Sequence, residues 1–164
     1  MIMISRFAMM GLVVSASALA SLSGAADADN INTSGVLCQN FNAGEALDID
    51  YVVNGARNIN AAPRSLICSL PRAPLAPGLG ATFFVDGQNF NNTTTTCTVF
   101  VYTFGGTITL SSTFTEPAVP GPNVVWDHNV TFPADSVATF DYASVLCSIP
   151  GSVNGTLFGV TSVQ

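Results

Sequence analysis

The 164-residue sequence contains no lysine and very little charge of either sign. All four basic residues are arginines, and the ten Asp and Glu residues bring the formal net charge to −6. Because phosphate contacts are made mainly by Lys and Arg, this balance argues against nucleic acid as a partner. A chain that is 48% hydrophobic and only 9% charged also lacks the composition of a disordered protein. The length predicts one domain with a sizeable core.

Signals for helices, zinc sites and hydrolytic catalysis are scarce. The sequence has only two glutamates, Glu45 and Glu116, and no useful stretch of apolar residues with a period of 3.6. No two cysteines form a C-x2-4-C pair, and the only histidine is His128. There is no G-x-S-x-G motif, nothing near His128 supplies a nucleophile, and no carboxylate pair stands out for glycoside hydrolysis. We therefore expect a non-catalytic protein without a cofactor.

The N-terminus has the three parts of an export signal. Arg6 supplies a positive charge, Phe7–Ala20 is apolar, and small residues follow, including Ala26-Asp27-Ala28. We predict a signal peptide over residues 1–28 and one domain over residues 29–164. No later stretch has 18 apolar residues, so no membrane span is expected after cleavage. The predicted location is periplasmic or extracellular.

Four cysteines follow the predicted signal peptide, namely Cys38, Cys68, Cys97 and Cys147. An even number in an exported chain predicts two disulfides, for which three connectivities can be drawn. The segments around Cys68 and Cys147 both read Ser-Φ-Φ-Cys-Ser-Φ-Pro, where Φ is aliphatic, and one other cysteine precedes each of them. This internal similarity favours the pairs Cys38–Cys68 and Cys97–Cys147.

The pattern along the chain is that of β-strands. Thr95–Phe104 and Thr107–Thr115 are rich in β-branched and aromatic residues, and Gly105-Gly106 between them predicts a hairpin. Polar turns are expected at Asp86-Gly87 and within Trp126–Asn129. Many short strands indicate an all-β, antiparallel β-sandwich of jelly-roll or immunoglobulin-like type. The other predicted strands are Gly35–Asn40, Ile49–Val53, Ser65–Leu70, Ala81–Val85, Val124–Trp126, Val130–Phe132, Ser136–Phe140, Ala143–Ile149 and Thr156–Val163.

Several segments resemble an uncharacterised group of small exported bacterial proteins with four cysteines. They are Asn58, Arg64, Ser65–Pro71, Phe84–Asp86, Thr95–Val99 and Ser144–Gly151. The chain departs from the group's Cys-Pro pattern, because Cys68 is followed by Ser69-Leu70-Pro71. The resemblance implies an exported, disulfide-linked β-sandwich and implies no activity.

The strand Thr95–Phe104 is apolar on both faces, so we expect something to cover the face that points away from the core. In a sandwich one face of a sheet is normally wet, so aromatic residues on the second face suggest an exposed patch. We favour the other interpretation, in which the proline-rich loop Pro71–Gly80 covers them. The candidate contact residues are Phe100, Tyr102, Phe104 and Trp126.

Calcium is the metal that the residue types favour. Asp48 and Asp50 lie two residues apart in an extended segment, and Asp86 and Asn89 belong to an oxygen-rich segment. Hard cations are bound by such oxygens, although no segment has the register of a calcium-binding loop. Ordinary turn and solubility roles are the alternative for all four residues.

Two functions fit these patterns. The first is a secreted, non-catalytic protein that acts by surface contact, as a cell-envelope, adhesive or filament-forming subunit, with self-association as its expected interaction. The alternative is a monomeric carbohydrate-binding module, with Trp126, Tyr102 or Tyr142 as stacking platforms. An uncovered aromatic face would support either function, so the sequence alone does not separate them.

Overall fold

A computed structural model describes residues 30–70 and 79–163. The predicted signal peptide and most of the loop Pro71–Gly80 lie outside the described residues. Two short 3-10 segments, Gly35–Leu37 and Ala43–Asp48, are present, and no helix in the described ranges is long and apolar enough to cross a membrane. The strands are β1 (Asn30–Ser34), β2 (Gln39–Asn40), β3 (Ile49–Val52), β4 (Gly55–Asn58), β5 (Arg64–Leu70), β6 (Ala81–Phe90), β7 (Thr95–Tyr102), β8 (Ile108–Glu116), β9 (Asn123–Phe132), β10 (Tyr142–Ile149) and β11 (Gly155–Val163).

The strands form two antiparallel sheets that pack into a sandwich, which confirms the predicted fold class. The six-stranded sheet has the order β3-β4-β11-β6-β9, with β1 paired to β11. The five-stranded sheet has the order β2-β5-β10-β7-β8. Among the strands of the described ranges, only β3-β4 and β7-β8 are consecutive strands that pair with each other, so the other connections cross from one sheet to the other. This crossing leaves β8 and β9 as edge strands of the two sheets.

Alternation of side chains along the strands builds the core. In both β6 and β7 every second residue is buried, from Ala81 to Asn89 and from Thr95 to Val101. Such a period of two places one set of side chains between the sheets and the other set outside. Phe83 and Phe132 meet there edge to face, with ring centroids 6.1 Å apart.

Both disulfides have the predicted connectivity. One joins Cys38 to Cys68 and the other joins Cys97 to Cys147. Cys97 and Cys147 are directly opposite each other on β7 and β10, and Cys68 lies on β5, the other neighbour of β10. Both bridges are therefore attached to the five-stranded sheet and face the core.

Two predicted turns are wrong, because both segments lie inside long strands. Asp86-Gly87 is in the middle of β6, and Asp127–Asn129 is in the middle of β9. Asp86, Asp127 and Asn129 face outward, while Val85, Trp126 and His128 lie on the inner side of their strands. A half-buried strand needs only one apolar face. The polar residues on its other face are of the same types as turn residues, so the sequence pattern predicts a turn.

Some strand boundaries also differ from the prediction. Ser136–Phe140 forms turns and bends instead of a strand, and Gly35–Asn40 is a 3-10 turn followed by the two-residue strand β2. The strands β1 and β4 were not predicted. β1 is short and polar with two asparagines, and β4 has only four residues, among them a glycine and an asparagine, which are residue types depleted in strands.

Candidate functional site

The outer face of the five-stranded sheet carries three of the aromatic side chains that the sequence offers. Phe100 on β7 lies between Ser144 of β10 and Ser111 of β8. Two residues further along β7, Tyr102 lies opposite Tyr142. Alternation places these side chains on the side away from Val99 and Val101, which are fully buried. We call Phe100, Tyr102 and Tyr142 the aromatic platform.

The two tyrosine rings of the platform are stacked. Their centroids are 5.8 Å apart and their planes differ by 23°. Cross-strand aromatic pairs stabilise each other, so each ring restricts the orientation of the other. Tyr142 is 54% exposed, whereas Tyr102 is half-buried. The sheet therefore presents a pre-oriented pair of aromatic rings to solvent.

Hydroxyl groups surround the platform on the same face. Thr98 and Thr113 are 2.9 Å apart through their Oγ1 atoms, and Thr96 and Thr115 are 3.0 Å apart in the same way. None of the outward positions on β5, β7, β8 and β10 carries a charged side chain. This combination of aromatic rings and hydroxyls without charge suits a neutral ligand that has both apolar and polar groups.

The sequence pattern predicts Phe104 within a strand. In the structure it lies in the turn after β7. The amide N–H of Gly106 donates to the carbonyl of Thr103, which closes the turn, and Phe104 is 89% exposed at its tip. Ile108 begins β8 opposite Tyr102 and is also exposed. Exposed apolar residues thus continue from the platform toward this end of the sheet. Ile108 was missed by the sequence analysis because a Thr- and Ser-rich strand surrounds it.

Trp126 is not part of this surface, so its prediction as a contact residue is wrong. It lies on the inner face of β9 and is only 6% exposed. Its indole N–H donates to Oδ1 of Asn89 at 2.6 Å. Asn89 is itself fully buried, which leaves its amide inaccessible to a cation from solvent.

The four calcium candidates do not come together. Asp48 accepts from Nε of Arg64 at 2.6 Å, and this bond and that from Asn60 lower the pKa of its carboxyl. Asp50 accepts two hydrogen bonds from Arg57, at 2.6 and 2.9 Å. These carboxylates are therefore neutralised by arginines. Within the described ranges no three His, Cys, Asp or Glu residues are grouped as metal ligands.

Asp86 is in a different environment from the other acidic candidates. It faces outward from the six-stranded sheet, directly opposite Asp127 of β9. Burial, together with the charge and hydrogen bond of Asp127, raises the pKa of Asp86 to about 6. Like charges in opposite positions on neighbouring strands are destabilising. This pair is not recognisable from the sequence, because the two residues are 41 positions apart, from 86 to 127.

His128 connects the edges of the two sheets. Its Nδ1 is 2.7 Å from Oε1 of Glu116, and its ring stacks on Phe114 with centroids 3.8 Å apart. Glu116 and Phe114 belong to β8, while His128 belongs to β9. The contact closes one open side of the sandwich and gives His128 a structural role.

The comparison with known proteins identifies the fold. No protein-family description and no curated protein matches the sequence. Two solved structures are similar at a TM-score of 0.51. One is a xylan-binding module, CBM15, with 10% sequence identity over 83% of this chain and 96% of that chain. The other is the C-terminal CBM6 of LamC, a marine laminarinase from Zobellia galactanivorans, with 12% identity over 83% and 100%. At such identities the similarity establishes the β-sandwich fold.

Proposed function

We propose that this chain is a secreted, non-catalytic carbohydrate-binding protein that holds a neutral glycan on the aromatic platform. The observation that carries the proposal is the exposed stack of Tyr102 and Tyr142 on an uncharged face lined with hydroxyls. A sugar ring has apolar C–H faces that pack on an aromatic ring and hydroxyls that bond to Ser and Thr side chains. The two similar structures, named as carbohydrate-binding modules, support this ligand class.

Charge restricts the ligand further. The outward positions around the platform carry no cation, and the whole chain has only four arginines and a net charge of −6. An anionic glycan would be repelled by this net charge. Uncharged chains such as xylan, cellulose or laminarin oligosaccharides are therefore the expected ligands.

Export is part of the same proposal. Two disulfides in a chain of this size fit an oxidising compartment, where extracellular glycans are also found. The apolar segment and small residues at the N-terminus supply the signal. The resemblance to exported bacterial four-cysteine proteins stays a prediction.

The proposal can be tested by isothermal titration with xylohexaose, cellohexaose and laminarihexaose. Tyr142→Ala should weaken binding by about tenfold or more, equivalent to about 1.4 kcal/mol, because it removes half of the stacked pair. Tyr51→Ala is the matched control, since Tyr51 is 44% exposed but lies on β3 of the other sheet. Absence of binding to all three oligosaccharides, or equal loss in both variants, would refute the platform as the site.

Self-association is the second candidate function, and the edge strand β8 favours it. Residues Ile108–Thr115 carry no charge, and within residues 30–70 and 79–163 their strand pairs only with β7. Uncharged edge strands are able to pair with another chain. Light scattering over a range of concentrations tests this candidate, and Ser111→Lys, which places a charge on that edge, should abolish any dimer. A strictly monomeric protein would leave carbohydrate binding as the function.

A further inference from the structure

A second concave site lies on the opposite side of the molecule, on the outer face of the six-stranded sheet. It is a groove of about 450 Å³ formed by β1, β6 and β11. That volume lies within the range of about 300–1,000 Å³ that is usual for small-ligand sites. The groove shares no residue with the aromatic platform. Its lining is Asn32, Thr33, Ser34, Asp86, Phe158, Gly159, Val160 and Thr161.

An irregularity in β11 shapes the groove. The register of β11 against β6 shifts between Leu157 and Gly159, which places Phe158 outside the regular alternation. β1 then pairs closely with the second half of β11, with Ser34 opposite Gly159. A Cβ on Gly159 would lie 2.8 Å from the backbone oxygen of Thr33. Only glycine lets the two strands approach in this way.

Polar groups along the groove have fixed orientations. The hydroxyl of Thr161 donates to Oδ1 of Asn32 at 2.6 Å. This bond turns the Asn32 NH2 group away from Thr161, and that group has no acceptor among the described residues. Asp86 contributes a half-buried carboxyl, with Asp127 directly opposite it on β9. The groove thus offers a donor and an acceptor beside the ring of Phe158.

We propose that this groove is a second saccharide-binding site, in which Asp86 and Asn32 bind the hydroxyls of one neutral sugar unit and Phe158 contacts its ring. The carboxyl of Asp86 accepts from ligand hydroxyls, and the Asn32 amide donates to them. The charge of Asp86 disfavours an anion, and none of the described residues that line the groove is cationic. The groove does not depend on the aromatic platform, so either proposed site can be refuted while the other stands.

Nuclear magnetic resonance separates the two sites in one titration. The full chain is expressed into an oxidising compartment, and the purified 15N-labelled protein is titrated with xylotriose, cellotriose and laminaritriose. We expect the backbone amides of Ser34, Gly159 and Thr161 to shift along their own saturable curve. Tyr142→Ala should leave that curve unchanged while it removes the shifts at Tyr102.

Variants in the groove complete the test. Asp86→Ala should weaken the groove curve at least fivefold and leave the platform curve unchanged. Thr131→Val is the matched control, because Thr131 faces outward on the same sheet and bonds only to Thr82 among the described residues. Unshifted remaining amides report that each variant is folded, and Asn32→Ala serves as the second groove variant.

The proposal is overturned if none of the three saccharides moves the groove amides or if Asp86→Ala and Asn32→Ala leave their curve unchanged. Shifts produced by calcium chloride alone would also overturn it, because the acidic pair would then bind a cation and not a sugar. If only the platform amides respond, the second site fails and the proposed function stands. If only the groove amides respond, the second site stands and the aromatic platform is refuted as a glycan-binding site.

Discussion

The indole N–H of Trp126 donates a 2.6 Å hydrogen bond to Oδ1 of Asn89 inside the core of the sandwich. The amide of Asn89 in turn donates to Oγ1 of Thr95 at 3.1 Å, which connects β9, β6 and β7. Both Trp126 and Asn89 carry chemical groups that are common in ligand sites. Their mutual bond shows that here these groups satisfy each other where water is excluded.

Trp126→Phe should therefore affect stability and not ligand binding. The substitution keeps an aromatic side chain in the core but removes the donor, so Asn89 Oδ1 loses a partner. Loss of a partner by a buried polar atom costs about 1–3 kcal/mol. Urea denaturation should show a loss of unfolding free energy in this range, with Tyr142→Ala as the surface control. A variant that keeps full stability but loses glycan affinity would contradict the assignment.

Removal of the disulfide between Cys97 and Cys147 should destabilise the protein strongly. The bridge closes a loop with a sequence separation of 50 residues, and both sulfurs face the core. The chain-entropy estimate for such a loop is roughly 4 kcal/mol. We expect the Cys97→Ser/Cys147→Ser double variant to lose about this much unfolding free energy. The Cys38→Ser/Cys68→Ser variant, with a separation of 30, should lose slightly less. A loss of unfolding free energy below about 1 kcal/mol for either variant would contradict the chain-entropy estimate.

The fold class and both disulfide pairs could be predicted because they depend on local patterns. Alternating Thr, Val and aromatic residues identify strands such as β7, and the repeated motif around Cys68 and Cys147 identifies equivalent positions in neighbouring strands. Assignment of each strand to a sheet depends on contacts between distant segments, so no single stretch of sequence contains it.

The candidate site was only partly predictable for the same reason. Phe100 and Tyr102 share a strand face, which the period of two reveals. Trp126 is buried because β9 pairs with β6, which places its side chain against Gly87 and Asn89. The pairing of β9 with β6 cannot be read from the sequence. The facing pair Asp86 and Asp127 likewise requires the register of two strands that are separated by β7 and β8 in the chain.

Gly87→Ala provides a direct test of the packing around Trp126. A Cβ at this position would overlap the indole ring and lie 2.7 Å from the backbone oxygen of Thr156. Overpacking of this kind costs about 1–3 kcal/mol. Gly44→Ala is the control, because a Cβ there meets nothing within 4 Å. We expect thermal denaturation to show a lower melting temperature for Gly87→Ala only. Equal melting temperatures would mean that position 87 lies in an open turn.

The pair Asp86 and Asp127 should make stability depend on pH in a direction unlike that of Asp48. Because the pKa of Asp86 is raised from 3.8 to about 6, the folded state binds more protons than the unfolded state between these values. The unfolding free energy should therefore fall as the pH rises from about 4 to about 6. The lowered pKa of Asp48 acts at lower pH, where its stabilising contribution is lost as the pH falls below 3.8.

Asp86→Asn isolates this contribution, because it removes the charge and keeps the shape of the side chain. We expect the variant and the original protein to differ least in unfolding free energy at pH values well below 3.8, where Asp86 is protonated in both the folded and the unfolded state. Above pH 6 the variant should be the more stable, because the cost of burying the Asp86 charge and the repulsion from Asp127 are both gone. Urea denaturation at closely spaced pH values measures the difference, and Asp127→Asn, which removes the repulsion but not the burial of Asp86, should reproduce part of it. A difference that stays constant with pH would show that the pKa of Asp86 is not raised in the folded protein.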